Sequence, residues 1–154
     1  MIQRIQSIYL LFASLLIGSL FFVPFIEIVN VKGEVYLFDS GGLYQEGIQN
    51  PEVIFRSISL ILLCIISVTF ILVTIFQYNK RKRQIVFSKI NILILLALSG
   101  IICYDVWRCI HIIPGNYSLK VYLFFPIIAI ILVYLAIKAI IKDERLLKSV
   151  DRIR

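Results

Sequence analysis

Four long apolar runs leave this chain few ways to fold. They are IYLLFASLLIGSLFFVPF (residues 8–25), ISLILLCIISVTFILVTIF (58–76), INILILLALSGIICYDVW (90–107) and LKVYLFFPIIAIILVYLAIKAII (119–141). Each is close to the ~20 residues that a helix needs to cross a hydrocarbon core about 30 Å thick. None carries a charged face, so none reads as a surface helix of a soluble protein. The fold class they predict is an all-α membrane protein of four transmembrane helices.

Composition agrees. The 154 residues are 60% hydrophobic and only 16% charged, with a mean hydropathy of +0.96. A soluble domain is roughly half apolar and about a quarter charged. The length suits one domain, with helices at about 5–25, 51–77, 86–107 and 119–141. The first run has a basic start at Arg4 but no small-residue cleavage site after its apolar core, so it reads as a retained span rather than a signal peptide.

Charge orients the spans. Residues 1–7, 77–89 and 138–154 hold twelve of the sixteen basic residues and three of the nine acids. The opposite loops hold Lys32, Arg56, Arg108 and Lys120 against six acids. Short basic loops stay in the cytoplasm, so both termini are expected there. Tyr78, Tyr104, Trp107, Tyr117 and Tyr122 fall near the expected interfaces, as aromatic belts do.

Local signals outline the connections. Asn50, Pro51 and Glu52 read as cap, first position and first turn of the second helix. The β-branched and aromatic stretch IEIVNVKGEVYLFD predicts a short extracytoplasmic β-hairpin around Lys32-Gly33, between helices 1 and 2. DSGGLYQEG after it reads as irregular loop. Pro114-Gly115 predicts a type II turn, and Pro126 a kink in the outer third of helix 4.

Candidate chemistry is sparse. The cores of the spans hold almost no ionisable residue, which is unlike a membrane enzyme or pump. Asp105, Arg108 and His111 cluster at the outer end of helix 3. Their plainer reading is interfacial residues that pair with one another and with headgroups. A lone histidine makes no zinc site. Cys103 and Cys109 lie ~9 Å apart along one helix, beyond the roughly 7 Å that a disulfide bridges. Cys64 reads as a small apolar filler. Asn91, Ser67, Thr69, Thr74, Ser99, Gly100 and Ser14-x-x-x-Gly18 supply small and polar helix-packing surfaces. These observations point away from an enzyme, a metal centre or a cofactor.

Two basic segments are candidate contact sites. Lys80, Arg81, Lys82 and Arg83 sit where topology-setting charge belongs, with anionic lipid headgroups as neighbours. The net charge of +7 is therefore spent on membrane topology, and nucleic acid is not an expected partner. The last span can run on as an amphipathic cytoplasmic tail, 142–154. Leu146, Val150 and Ile153 share one face, between the charges of Lys142, Arg145, Lys148, Arg152 and Arg154. That stripe fits either the membrane surface or another membrane protein.

MIQRIQSIYLLFASLL, KINILILLAL and FPIIAIILVYLAIKAIIKDERLLKSVDRIR together resemble a family of small membrane proteins of Bacteroidota, domain-of-unknown-function family 4293. The closing block, with Lys142-Asp143-Glu144 and Asp151-Arg152-x-Arg154, is the most specific part. The resemblance implies a multi-pass protein of the bacterial inner membrane and no assigned activity. Two functional classes follow. The first is a non-enzymatic accessory or scaffold subunit of a larger envelope complex. Its rival is a small-molecule or lipid binder or transporter. A polar cavity between helices favours the rival, and a dry bundle with an exposed apolar flank favours the subunit.

Overall fold

The computed structural model describes residues 3–47, 53–77 and 80–151. They form four helices and one small antiparallel sheet. The helices are α1 (Gln3–Ser19), α2 (Ile58–Phe76), α3 (Arg81–Ile112) and α4 (Phe125–Asp151). Three segments, Ile58–Phe76, Arg81–Ile112 and Val121–Glu144, are long and apolar enough to cross a membrane, and α1 is shorter. These apolar helices are those of a chain compatible with a membrane protein.

Consecutive helices run in opposite directions. α1 packs on α2 and α4, and α3 packs on the same two, which closes a ring. One spacing explains the packing. α1 buries Gln6, Leu10, Ala13, Ile17 and, just past its end, Leu20; α2 buries Leu60, Cys64, Ser67, Ile71 and Thr74; α4 buries Ala129, Val133, Ala136, Ile140 and Asp143. Along α3 the seam runs Gln84, Ser88, Asn91, Leu95, Leu98, Ile102, Asp105 and Cys109. Steps of four and three keep a seam facing its neighbours in a left-handed bundle. The polarity of the seams is inverted relative to a soluble protein. Ser14, Ser67, Thr74, Gln84, Ser88 and Asn91 face inward, while Ile8, Phe12, Leu62, Phe76, Leu93 and Ile131 face outward. Of the small and polar residues expected at packing surfaces, Thr69 and Gly100 are exposed, and Ser99 and Gly18 are only half-buried.

The sheet lies at one end of the bundle, because its strands join α1 to α2 and α3 to α4. Its strands are β1 (Ile26–Asn30), β2 (Val35–Asp39), β3 (Gly42–Gln45) and β4 (Gly115–Leu119), ordered β3-β2-β1-β4. Ile26, Ile28, Tyr36, Phe38 and Leu43 join the same core as Leu20, Val106 and Ile113. The expected hairpin is therefore the centre of a larger sheet.

Several expectations need correction. The stretch expected to be irregular contains β3, whose Gly42 has φ 135° and lies so close to the Phe55 carbonyl that a Cβ would overlap it. α2 does not begin near residue 51. Leu43 and Phe55 form a bridge, with Leu43 N–H donating to the Phe55 carbonyl at 2.7 Å and Ile54 N–H to the Leu43 carbonyl at 2.9 Å. This extended pairing delays the helix to Ile58; Asn50, Pro51 and Glu52 lie outside the described residues, as does Tyr78. α1 ends at Ser19, several residues early, and Leu20, Phe21 and Phe22 close it with tightened i→i−3 bonds. α3 is longer than expected at both ends, about 48 Å at the standard rise.

Gly115 is not in a type II turn, because it lacks the positive φ that this turn requires. It opens β4 instead, where its missing Cβ lets Val29 approach. Leu119 belongs to β4, and a 3-10 turn at Val121–Phe124 leads into α4. Pro126 is thus in the first turn of α4. It forfeits no hydrogen bond there and has no interior position to kink.

Candidate functional site

The sheet positions the chain that enters α2. Asp39 takes the Gly41 N–H at 2.6 Å and the Tyr44 hydroxyl at 3.2 Å, which shapes the β2–β3 turn. Burial, then the Asp39 carboxylate, pushes the Tyr44 phenol pKa above its ordinary value and holds it as a donor. β3 then holds Phe55 through the paired backbone. The Phe55 ring stacks on Phe38 with centroids 6.3 Å apart. Its ring also lies 4.2 Å beneath the Arg108 guanidinium, a cation–π contact from α3.

An open cleft of about 440 Å³ lies between this entry segment and α3. Phe55, Arg56, Ser57, Ile58 and Ser59 form one wall, and Ile101, Tyr104, Asp105 and Arg108 the other. Ligand clefts commonly have this volume. At the floor Asp105 is only 4% exposed and accepts a hydrogen bond from the Ser57 hydroxyl. Ser57 is the N-cap residue of α2, yet its side chain makes no cap bond.

Arg56 and Arg108 are both exposed at the rim. Among the described residues neither lies within salt-bridge distance of a carboxylate, whereas Lys120 pairs with Glu27. A guanidinium stacked on a ring keeps its N–H edge available for a carboxylate or phosphate. The cleft therefore combines two cationic donors at its rim with walls that mix apolar side chains (Phe55, Ile58, Ile101) and polar ones (Ser57, Ser59), above an Asp105 carboxylate that is engaged by Ser57.

The Asp105, Arg108 and His111 cluster does not pair internally as expected. Asp105 turns to Ser57 and Arg108 to Phe55. His111 Nδ1 lies 2.8 Å from the Trp107 carbonyl, with its ring 4.3 Å from that of Trp107. Cys103 and Cys109 share α3, which continues to Ile112, so helix rise keeps them apart. Cys64, Cys103 and Cys109 are free thiols.

The basic contact residues lie at the opposite end of the bundle. Lys80 precedes α3, and Arg81, Lys82 and Arg83 occupy its first turn, which has no acidic residue. Cations beside the positive end of a helix dipole are unfavourable, so the dipole does not account for this run of basic residues. Lys142 is exposed on α4, next to Asp143, which is buried and takes a hydrogen bond from Gln6 of α1. The α4 backbone is helical through positions 145–151, so Arg145, Leu146, Lys148 and Val150 share a helix. Arg152, Ile153 and Arg154 lie outside the described residues. The cleft and the basic segments are thus two separate regions.

Sequence reasoning singled out Asp105 and Arg108 but missed Phe55, Arg56 and Ser57. One signal was available: an aspartate inside an apolar run needs a partner. The partner is 48 residues away in the chain, and nothing local names it.

No curated protein matches the chain. A family model described as Domain of unknown function (DUF4293) matches residues 2–153. With the match running through every helix and strand described above, the chain belongs to the DUF4293 family.

Proposed function

We propose that the protein is a four-span membrane protein, with both termini cytoplasmic, that works by binding rather than by catalysis. Its cleft holds the anionic head of a lipid or similar amphiphile at the outer leaflet. α1 counts as the fourth span in this reading. It packs between α2 and α4, and its outward residues Ile5, Ile8, Leu11, Phe12 and Leu15 are all apolar.

The observation that carries the binding role is the pair Arg56 and Arg108 on the rim of a cleft that has an apolar side, Ile58, Ile101 and Tyr104, and whose one carboxylate, Asp105, is occupied by Ser57. An anionic head fits the guanidinium donors, and an acyl tail fits the side lined by Ile58, Ile101 and Tyr104. This favours the binder over the accessory subunit of an inner-membrane complex. The apolar flanks of the helices do not decide between them, because lipid covers such flanks in either case. One observation does favour the subunit reading: among the described residues the outer edge of β4 carries no neighbour.

Native mass spectrometry of the protein released from mixed anionic and zwitterionic nanodiscs tests the cleft. Arg56→Gln with Arg108→Gln is expected to weaken anionic-lipid retention roughly thirtyfold, at about 1 kcal/mol per basic residue. Neutralising Lys80 to Arg83 should leave that retention component in place. Inorganic phosphate added alone should not compete, since it has no tail. Unchanged retention in the double variant would refute the assignment.

A further inference from the structure

The two edges of the sheet are treated differently. β3 is covered by the bridge to Phe55. β4 pairs with β1 on one side, and among the described residues nothing pairs with its other side; all five of its residues are exposed. Open edges are normally blunted by charge, proline or a bulge. Gly115, Asn116, Tyr117, Ser118 and Leu119 contain no charge and no proline.

The register identifies which backbone groups are open. Lys120 N–H donates to the Phe25 carbonyl at 3.0 Å. Antiparallel ladders alternate, so Ser118 and Asn116 also turn their backbone groups toward their β1 partners, Glu27 and Val29. Gly115, Tyr117 and Leu119 therefore point theirs outward. The side chains of Tyr117 and Leu119 stand opposite Ile28 and Ile26, on the face that turns to the bundle. Ile28 and Ile26 are buried, whereas Tyr117 is 56% and Leu119 49% exposed. β4 overhangs the bundle and leaves apolar side chains uncovered beneath it.

We propose that β4 pairs antiparallel with β4 of a second copy of this chain, about a two-fold axis at Tyr117. The strand is self-complementary in this register. Tyr117 meets Tyr117, and Gly115 meets Leu119, so every outward group finds an outward partner. Asn116 and Ser118 form the intervening non-hydrogen-bonded pairs. Lys120 meets Pro114 of the other copy, so no like charges are opposed. The two-fold of an antiparallel pair is normal to the sheet. The sheet sits on the bundle end with its inner face toward the helices, so this axis runs along the bundle. Both copies then cross a bilayer in the same sense. The axis direction rests on the four-span reading; the pairing depends on no ligand in the cleft.

The test uses two tagged full-length chains co-expressed in a background of Cys64→Ser, Cys103→Ser and Cys109→Ser. One carries Asn116→Cys and the other Ser118→Cys. Paired across the axis, these positions bring Cα atoms to about 4.5 Å, within disulfide range. The mixed disulfide should exceed either homodisulfide about tenfold or more, because mismatched positions sit roughly 7–8 Å apart on the diagonal. Equal yields of the three species, or no cross-link, overturn the register and the dimer. A second measurement keeps the native cysteines. Single-molecule photobleaching in dilute bilayers should find the parent paired and Tyr117→Pro single, because proline removes an outward N–H and none given to β1. A parent that is single at that density also overturns the proposal.

Discussion

Ser57 stands where a helix cap is expected, yet its hydroxyl serves a carboxylate on another helix. The reason is the relative cost of the two groups. An unsatisfied N–H at a helix end can reach water, whereas Asp105 is buried and has no other hydrogen-bond partner among the described residues. Ser57→Ala is expected to destabilise the protein by about 1–3 kcal/mol, the desolvation cost of an orphaned buried acceptor. Ser57→Thr keeps the hydroxyl and should stay near the parent. Asp105→Leu combined with Ser57→Ala removes both groups and should recover most of the loss. Denaturant unfolding in detergent micelles measures all three. A Ser57→Ala variant as stable as the parent would show that Asp105 finds another partner.

At the scale of elements, the α2–α3 seam carries one side-chain bond deep in the bundle. Asn91 Nδ2 donates to Thr74 Oγ1 at 2.9 Å, and Thr74 passes its own hydrogen to the Phe70 carbonyl at 2.8 Å. Interhelical bonds of this kind contribute about 0.6 kcal/mol on average and about 1.7 kcal/mol at most. A double-mutant cycle of Thr74→Val and Asn91→Leu should return a coupling in that range, with the double variant less destabilised than the singles sum to. Strict additivity would mean that the bond adds nothing. The four-and-three spacing of such seams was present in the sequence, but hydropathy conceals it. When both faces of a helix are apolar, small and polar residues mark the inner one. Ser67, Thr74 and Asn91 marked it correctly. Thr69, which bonds the Ile65 carbonyl of its own helix at 2.8 Å, did not. A hydroxyl that satisfies itself on its own helix is compatible with either face.

For the molecule as a whole, the proposed orientation puts the sheet and cleft outside and both termini inside. Val31 is 87% exposed at the β1–β2 turn, which makes it a better probe than the turn glycine beside it. In cells whose chain lacks native cysteines, Val31→Cys should react with a membrane-impermeant maleimide from outside. Lys82→Cys should react only once the membrane is opened. The reverse pattern would invert the molecule and move the cleft to the inner leaflet. Burial of the Cys64 and Cys109 thiols keeps them from contributing background even where their replacement is incomplete.

The apolar runs alone predicted four spans and an alternation of chain direction, and three of the four are helices long enough to cross a membrane; these were legible because length and hydropathy are local properties. The β1–β2 turn was equally legible, since β-branched strands flanking Lys32-Gly33 specify a reversal without outside help. Tertiary structure decided the rest. β3 and β4 are short segments with weak propensity of their own, and they become strands because β2 and β1 offer them ladders. Phe55 is extended rather than helical because β3 holds its backbone. Pro126 starts a helix instead of bending one because β4 takes the residues before it. The cleft follows from these events. Arg56 and Arg108 share a rim only after a strand unseen in the sequence has drawn Phe55 under a guanidinium from a helix fifty residues away, and contacts of that range leave no trace in local pattern.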